Sequence, residues 1–475
     1  MNEGAQDFYD DQEGREAINQ FLKMSDNGKI GFFDVFQFEA ILDHFLEEGD
    51  TDKALLASDH AIAQHPYATS LKLKRAAALI PEGRFDEALE LLAFLREVES
   101  NNVEVYYLAG TIYTLTDRFK TAEKVFDLAL KFAEEERDEL LFNMGYAFEQ
   151  LCQYKLAEKY FTLGYKANPT NDSIIFELAF CLEKNKKYQE SIFMYNKFLD
   201  FDPFSFTAWY NLGIIYNQID KYEKAIEAYD YALLLNESFH SAIFNKANSY
   251  ANSGKFLEAI EFYKEYLEHE PDSEETLLYI AESHLHLDDN LEALTYYKKC
   301  ININSANSDA WFGSSLVMYA EKQYHEAMIF VNKAIKSNNE RCEYFQHLAK
   351  IANKLELFDE ALAAFDQATL LSPKDIEVWL SYSDFMFKRG LKQKAISILK
   401  NGYLQNPENA KINYRMAAYL LENDEEQTAV DYFERALKID FSTYKDLFEH
   451  SPNARFSEPI NKMLTKYQSI NIIKE

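Results

Sequence analysis

The chain has 475 residues, and 79 Asp plus Glu stand against 49 Lys plus Arg, a formal net charge of −30. So acidic a surface excludes the phosphate-neutralising chemistry of a nucleic-acid binder, and 47% apolar with 27% charged residues excludes global disorder. Only 14 glycines and 9 prolines occur, so tight turns are few.

Residues 1–34 read as an acidic N-terminal segment and a capping helix. Glu3, Asp7, Asp10 and Asp11 are the opposite of a basic leader sequence, and Asn2 excludes N-myristoylation. Residues 13–24 form a helix with Ile18, Phe21 and Leu22 turned inward. The segment Ser25 to Asp34 resembles half an EF-hand, with Gly28 and Ile30 in phase and Asp34 last. Its first ligand would be Lys23, a cation, so it is a loop and not a calcium site. No apolar run approaches the ~18 residues of a spanning helix. The expectation is a soluble cytoplasmic protein without membrane insertion. Cys152, Cys181, Cys300 and Cys342 form no CxxC and read as reduced fillers.

From residue 35 the chain repeats every 34 residues. The clearest unit reads Trp209-x-x-Leu212-Gly213-x-x-Tyr216, then Ala225-x-x-x-Tyr229 and Ala232. Repeats 1 to 12 start at 35, 69, 103, 138, 172, 206, 240, 274, 308, 342, 376 and 410, with one extra residue near Arg137. Position 20 is Ala in eleven of them and Ser191 in repeat 5; position 8 is Ala, Gly or Ser in all but repeat 1, which has Leu42. Trp209, Trp311 and Trp379, the three tryptophans, all fall at position 4, and six prolines fall at position 32. Positions 4, 7, 8 and 11 form one stripe of a first helix, and positions 17, 20, 24 and 27 one stripe of a second. Small residues at 8 and 20 let the helices approach, and aromatic residues at 17 and 24 fill the space around them. Proline at 32 ends the second helix.

This pattern resembles the tetratricopeptide repeat (TPR), over about 409 of 475 residues. In build the chain also resembles long, soluble TPR proteins of Bacteroidetes-type bacteria. The resemblance implies an all-α fold: a right-handed α-solenoid of about twelve helix–turn–helix repeats over 35–443, with capping helices at 1–34 and 444–475. In the last segment Ser457-Glu-Pro459 starts a helix with Ile460, Met463, Leu464 and Tyr467 on one face.

No catalytic constellation stands outside the packing positions. His325-Glu326 begins like HExxH, but Ile329 replaces the second histidine. His284, at position 11, is a satisfied structural histidine, and His286 points away from it. Phosphate-binding glycine loops and nucleophile elbows do not occur. The expectation is no enzyme, no metal and no cofactor.

The resemblance implies that positions 2, 5, 9, 12 and 13 of the first helices line a concave groove. Position 5 is mostly apolar, and repeats 4 to 7 place Phe142, Tyr146, Phe176, Phe180, Tyr210, Ile214, Phe244 and Asn248 at positions 5 and 9. These are the candidate partner-binding residues, although position-5 aromatics also serve packing between repeats. Fourteen acids against five lysines along this stripe favour a basic or basic-amphipathic peptide or helical segment. Chaperone-tail binding resembles a clamp with Lys at position 5 and Asn at position 9. No repeat has a cation at position 5, so Hsp70 and Hsp90 C-terminal tails are not expected. The function read from this is a noncatalytic protein–protein interaction scaffold or adaptor. The alternative is a structural spacer or self-assembling protein that uses its ends or convex face. A regulatory arm of an enzyme is a third reading, but flanks of 34 and 32 residues are too short for a catalytic domain.

Overall fold

The computed structural model describes residues 3–26, 30–133 and 137–472. Gly28 and residues 134–136 lie outside the described residues, as do Asn2 and the side chains of Glu3, Asp7, Asp10 and Asp11. Among the described residues every regular element is a helix, and the chain divides into two units, Met1–Phe239 and His240–Glu475.

In the first unit the helix Glu3–Asp26 precedes six helix pairs. The first helices are Val35–Glu47, Thr69–Leu79, Val103–Leu115, Arg137–Glu149, Asp172–Lys184 and Phe206–Gln218. Their partners are Thr51–Gln64, Phe85–Val98, Phe119–Phe132, Tyr154–Ala167, Tyr188–Phe201 and Tyr222–Leu235. Ala17 and Phe21 of the leading helix are buried in the core beside repeat 1. Asp34, the last residue of the EF-hand-like segment, spends its carboxylate on a capping box with Gln37 at the start of the first helix.

The second unit holds six more pairs. The first helices are His240–Asn252, Glu274–His286, Ser308–Ala320, Cys342–Lys354, Ile376–Lys388 and Ala410–Glu422. The second helices are Phe256–His269, Asn290–Ile303, Tyr324–Ser337, Phe358–Leu371, Lys392–Gln405 and Glu426–Ile439. A short helix Lys445–His450, a 3-10 turn Pro452–Phe456 and a helix Glu458–Ile472 close the chain. Ile460 and Tyr467 are buried, and Met463 and Leu464 pack beside them.

The packing follows from residue size. Gly213 at position 8 admits the ring of Tyr229 from position 24 so closely that an added Cβ would lie 2.5 Å from it. Gly110 and Gly145 admit Phe126 and Phe161 in the same way. The three tryptophans each donate an indole N–H to the carbonyl at position 32 of the preceding repeat: Trp209 to Pro203 at 3.0 Å, Trp311 to Ser305 at 2.9 Å and Trp379 to Pro373 at 2.8 Å. The turn inside each pair passes through the left-handed region at position 15 in all twelve repeats. Glycine takes that position only at Gly49, Gly83, Gly254 and Gly390; elsewhere it is a residue such as Asp117, Cys152 or Lys322.

Candidate functional site

Within the first unit the candidate rings fall into two kinds. Phe142 and Tyr146, one turn apart on the first helix of repeat 4, stack at 6.0 Å with planes 13° apart. Tyr146 is 44% exposed, so this pair offers an aromatic face to its surroundings. The remaining rings are half-buried and held by their neighbours. Phe176 packs edge-on against Tyr195 at 5.6 Å and Phe198 at 5.1 Å, both on the second helix of its own repeat. Tyr210 meets Tyr229 at 5.8 Å and Phe239 at 4.7 Å. Phe180 touches the edge of Tyr154 at 6.0 Å, and the Lys184 ammonium sits 4.7 Å from its centroid. Ile214 is half-buried.

In the second unit Phe244 lies among Tyr263, Tyr266 and Tyr279, at 6.0, 5.1 and 6.0 Å. Asn248 accepts a 2.5 Å hydrogen bond from the Tyr263 hydroxyl. The amide carbonyl is therefore engaged by the second helix of its own repeat. Sequence spacing places these eight residues on one stripe but does not show that most of them also serve as lids over the position-24 rings.

An acid pair accompanies the exposed ring. Glu149, at position 12 of repeat 4, lies beside Glu177 of repeat 5: burial, and then the neighbouring charge and hydrogen bond, push the Glu149 carboxyl up to about 8. Burial also holds Glu177 above the usual carboxylate range. Glu149 Oε2 is buried with no hydrogen-bond partner. In repeat 5, Lys184 pairs with Glu183 at 2.9 Å and Lys187 with Glu158 of repeat 4 at 2.6 Å. Glu177 stands at position 6, outside the stripe considered from sequence. Its meeting with Glu149 depends on the register between repeats.

Chemistry-bearing residues elsewhere do not assemble. Among the described residues no three His, Cys, Asp or Glu side chains are placed to hold a metal, and all four cysteines are free, with Cys152 exposed and the others buried. His284 is only half satisfied: Nδ1 meets Asp289 at 3.1 Å, while the buried Nε2 has no partner. His286 stacks on Phe256 at 4.5 Å. His347, buried against Phe312 and Tyr319, has its pKa lowered by burial to about 4. Among the described residues no helix is long and apolar enough to cross a membrane.

Models of the tetratricopeptide repeat match residues 206–239, residues 73–137 and 244–308, and residues 138–171 and 343–375. A 115-residue stretch is 25% identical to the general transcriptional corepressor trfA of Dictyostelium discoideum; it is 24% of this chain and 8% of that protein's length. The crystal structure of the yeast Tom70 is 12% identical, with a TM-score of 0.42, over 92% of this chain and 95% of that one. The Cut9 and Hcn1 assembly of the APC/C is 14% identical, with a TM-score of 0.37, over 90% of this chain and 95% of that one.

Proposed function

Because the chain belongs to the tetratricopeptide-repeat family, we propose that it is a noncatalytic scaffold whose array at 35–443, flanked by capping segments at 1–34 and 444–475, binds a peptide or helical segment of a partner protein in the groove of its first helices. A cytoplasmic setting and a cofactor-free mode of action belong to this reading. The observation that carries it is the Phe142–Tyr146 stack, an aromatic pair at 6.0 Å with one ring left 44% exposed on the stripe. Exposed aromatic anchors beside buried neighbours are what a segment's apolar side chains find in a preformed groove.

The partner is basic or basic-amphipathic. A net charge of −30 steers such a segment toward the chain, and the Glu149 and Glu177 carboxyls of repeats 4 and 5 offer a lysine or arginine side chain an acidic partner. Position 5 carries no cation in any repeat, so acidic chaperone tails remain outside this reading. Affinity capture with mass spectrometry tests it: Tyr146→Ser, and a Phe176, Phe180 and Tyr210 polar triple variant, should lose the partners retained by the intact chain. Retention of the same partners by folded variants would contradict it.

A further inference from the structure

The first helix of repeat 12, Ala410–Glu422, is covered differently from the others. Position 9 is exposed or half-buried in repeats 1 to 11, but at Ala418 in repeat 12 it is fully buried. The chain itself supplies the cover. The short helix Lys445–His450 and the turn after it pack on this first helix, while Glu458–Ile472 packs on the second helix Glu426–Ile439. Other first helices of this unit sit on preceding second helices in that manner. The short helix is thus not the start of a further repeat; it lies along the stripe.

Its contacts have a definite chemistry. Leu447 is fully buried, and Tyr444 and Phe448 pack against the same core. Ser451 Oγ donates to Glu422 Oε1, at position 13, at 2.7 Å. The charges of Arg415 and Asp384, and of Glu449 and Asp446 on its own helix, act on the His450 imidazole; Asp384 is position 9 of repeat 11, and it accepts from both Arg415 and Tyr419. Arg455 lies 5.9 Å from the Phe448 ring. A helix of 6 residues cannot hold itself together in water, so docking alone keeps this one ordered.

We propose that residues 441–456 are a tethered occupant of the stripe at repeats 11 and 12, displaced by a partner segment of the same kind: a short helix with an aromatic and leucine face beside a basic residue. The proposal rests on the reading that the first-helix stripe binds segments, and it names what such a segment looks like. Glu422, whose carboxylate the segment itself engages through Ser451, and the net charge of −30 favour the basic member.

The test uses a fluorescently labelled peptide of residues 441–456, titrated against the full chain and against its Leu447→Asp variant, with hydrogen exchange followed over 410–422 and 445–456. The variant should bind the peptide at least tenfold more tightly than the unaltered chain. Exchange should rise in 445–456 while 410–422 stays protected. Phe448→Asp, a second change on the packing face that keeps Leu447, should shift both readouts the same way. Equal peptide affinities in a variant whose segment has been released would overturn the proposal. So would joint loss of protection in both segments, which makes 441–456 a structural part of repeat 12, or unchanged exchange in both variants. Because the rings of repeats 4 to 6 are untouched, failure here leaves partner capture by Tyr146 and its neighbours as a separate question.

Discussion

Ser315 donates its hydroxyl to the carbonyl of Ala327 at 2.7 Å, joining position 8 of repeat 9 to position 20 of the same repeat. Repeat 5 has the mirror arrangement, with Ser191 at position 20 donating to the carbonyl of Ala179 at position 8 over 2.6 Å. The two points where the helices come closest tolerate a hydroxyl because the opposite backbone is within reach to accept it. Ser191→Ala should therefore change stability by about 1 kcal/mol or less, whereas Ser191→Val, with nowhere to put its methyl groups, should cost about 1–3 kcal/mol. Thermal denaturation of the two variants checks the difference.

Lys322 and seven other non-glycine residues hold left-handed backbone at position 15, with φ of 62° at Lys322. A side chain there costs roughly 1–2 kcal/mol relative to its preferred conformation. Lys322→Gly should stabilise the chain, by up to ~1 kcal/mol once the added freedom of the unfolded glycine is subtracted. Urea denaturation midpoints provide the comparison.

The Glu149 and Glu177 pair ties stability to pH. With the folded pKa of Glu149 at about 8 and the ordinary value at 4.5, the folded chain holds a proton that the unfolded chain releases between those values. This stabilisation is fully present below pH 4.5 and is lost as pH rises through about 8. Glu149→Gln should keep the hydrogen bond to Glu177 and flatten that part of the profile. Melting temperatures measured between pH 5 and pH 9 on both chains should converge at the acid end and separate at the alkaline end.

His450 acts in the opposite sense. Burial, and then the charge of Arg415, hold its pKa below the ordinary 6.5, against the opposing pull of Asp384, Glu449 and Asp446. The unfolded segment thus takes up a proton more readily. The docked state keeps its full contribution above pH 6.5 and loses it as pH falls toward the lowered value. Exchange of 445–456 corrected for intrinsic rates should rise on acidification in the unaltered chain and much less in His450→Gln.

The helices were legible because spacing alone sets them. A stripe at positions 4, 7, 8 and 11 followed by one at 17, 20, 24 and 27 has one solution for a chain that must bury both. The left-handed position 15 left little trace, since Asp117, Cys152 and Lys322 do not announce it as glycine would. Membership of the groove stripe could be read for Phe176 and Phe244, but their engagement by Tyr195 and Tyr263 could not, because exposure depends on which rotamer the neighbouring ring leaves open. The pairing of Glu149 with Glu177 and the docking of Leu447 lie between repeats or outside the period, where a single repeat's pattern carries no information.

The most direct measurement is hydrogen exchange on the full chain with and without a captured partner segment. Binding through the rings of repeats 4 and 5 predicts protection concentrated in the first helices Arg137–Glu149 and Asp172–Lys184, with their second helices unchanged. Protection confined to second helices, with the first helices unchanged, would contradict it.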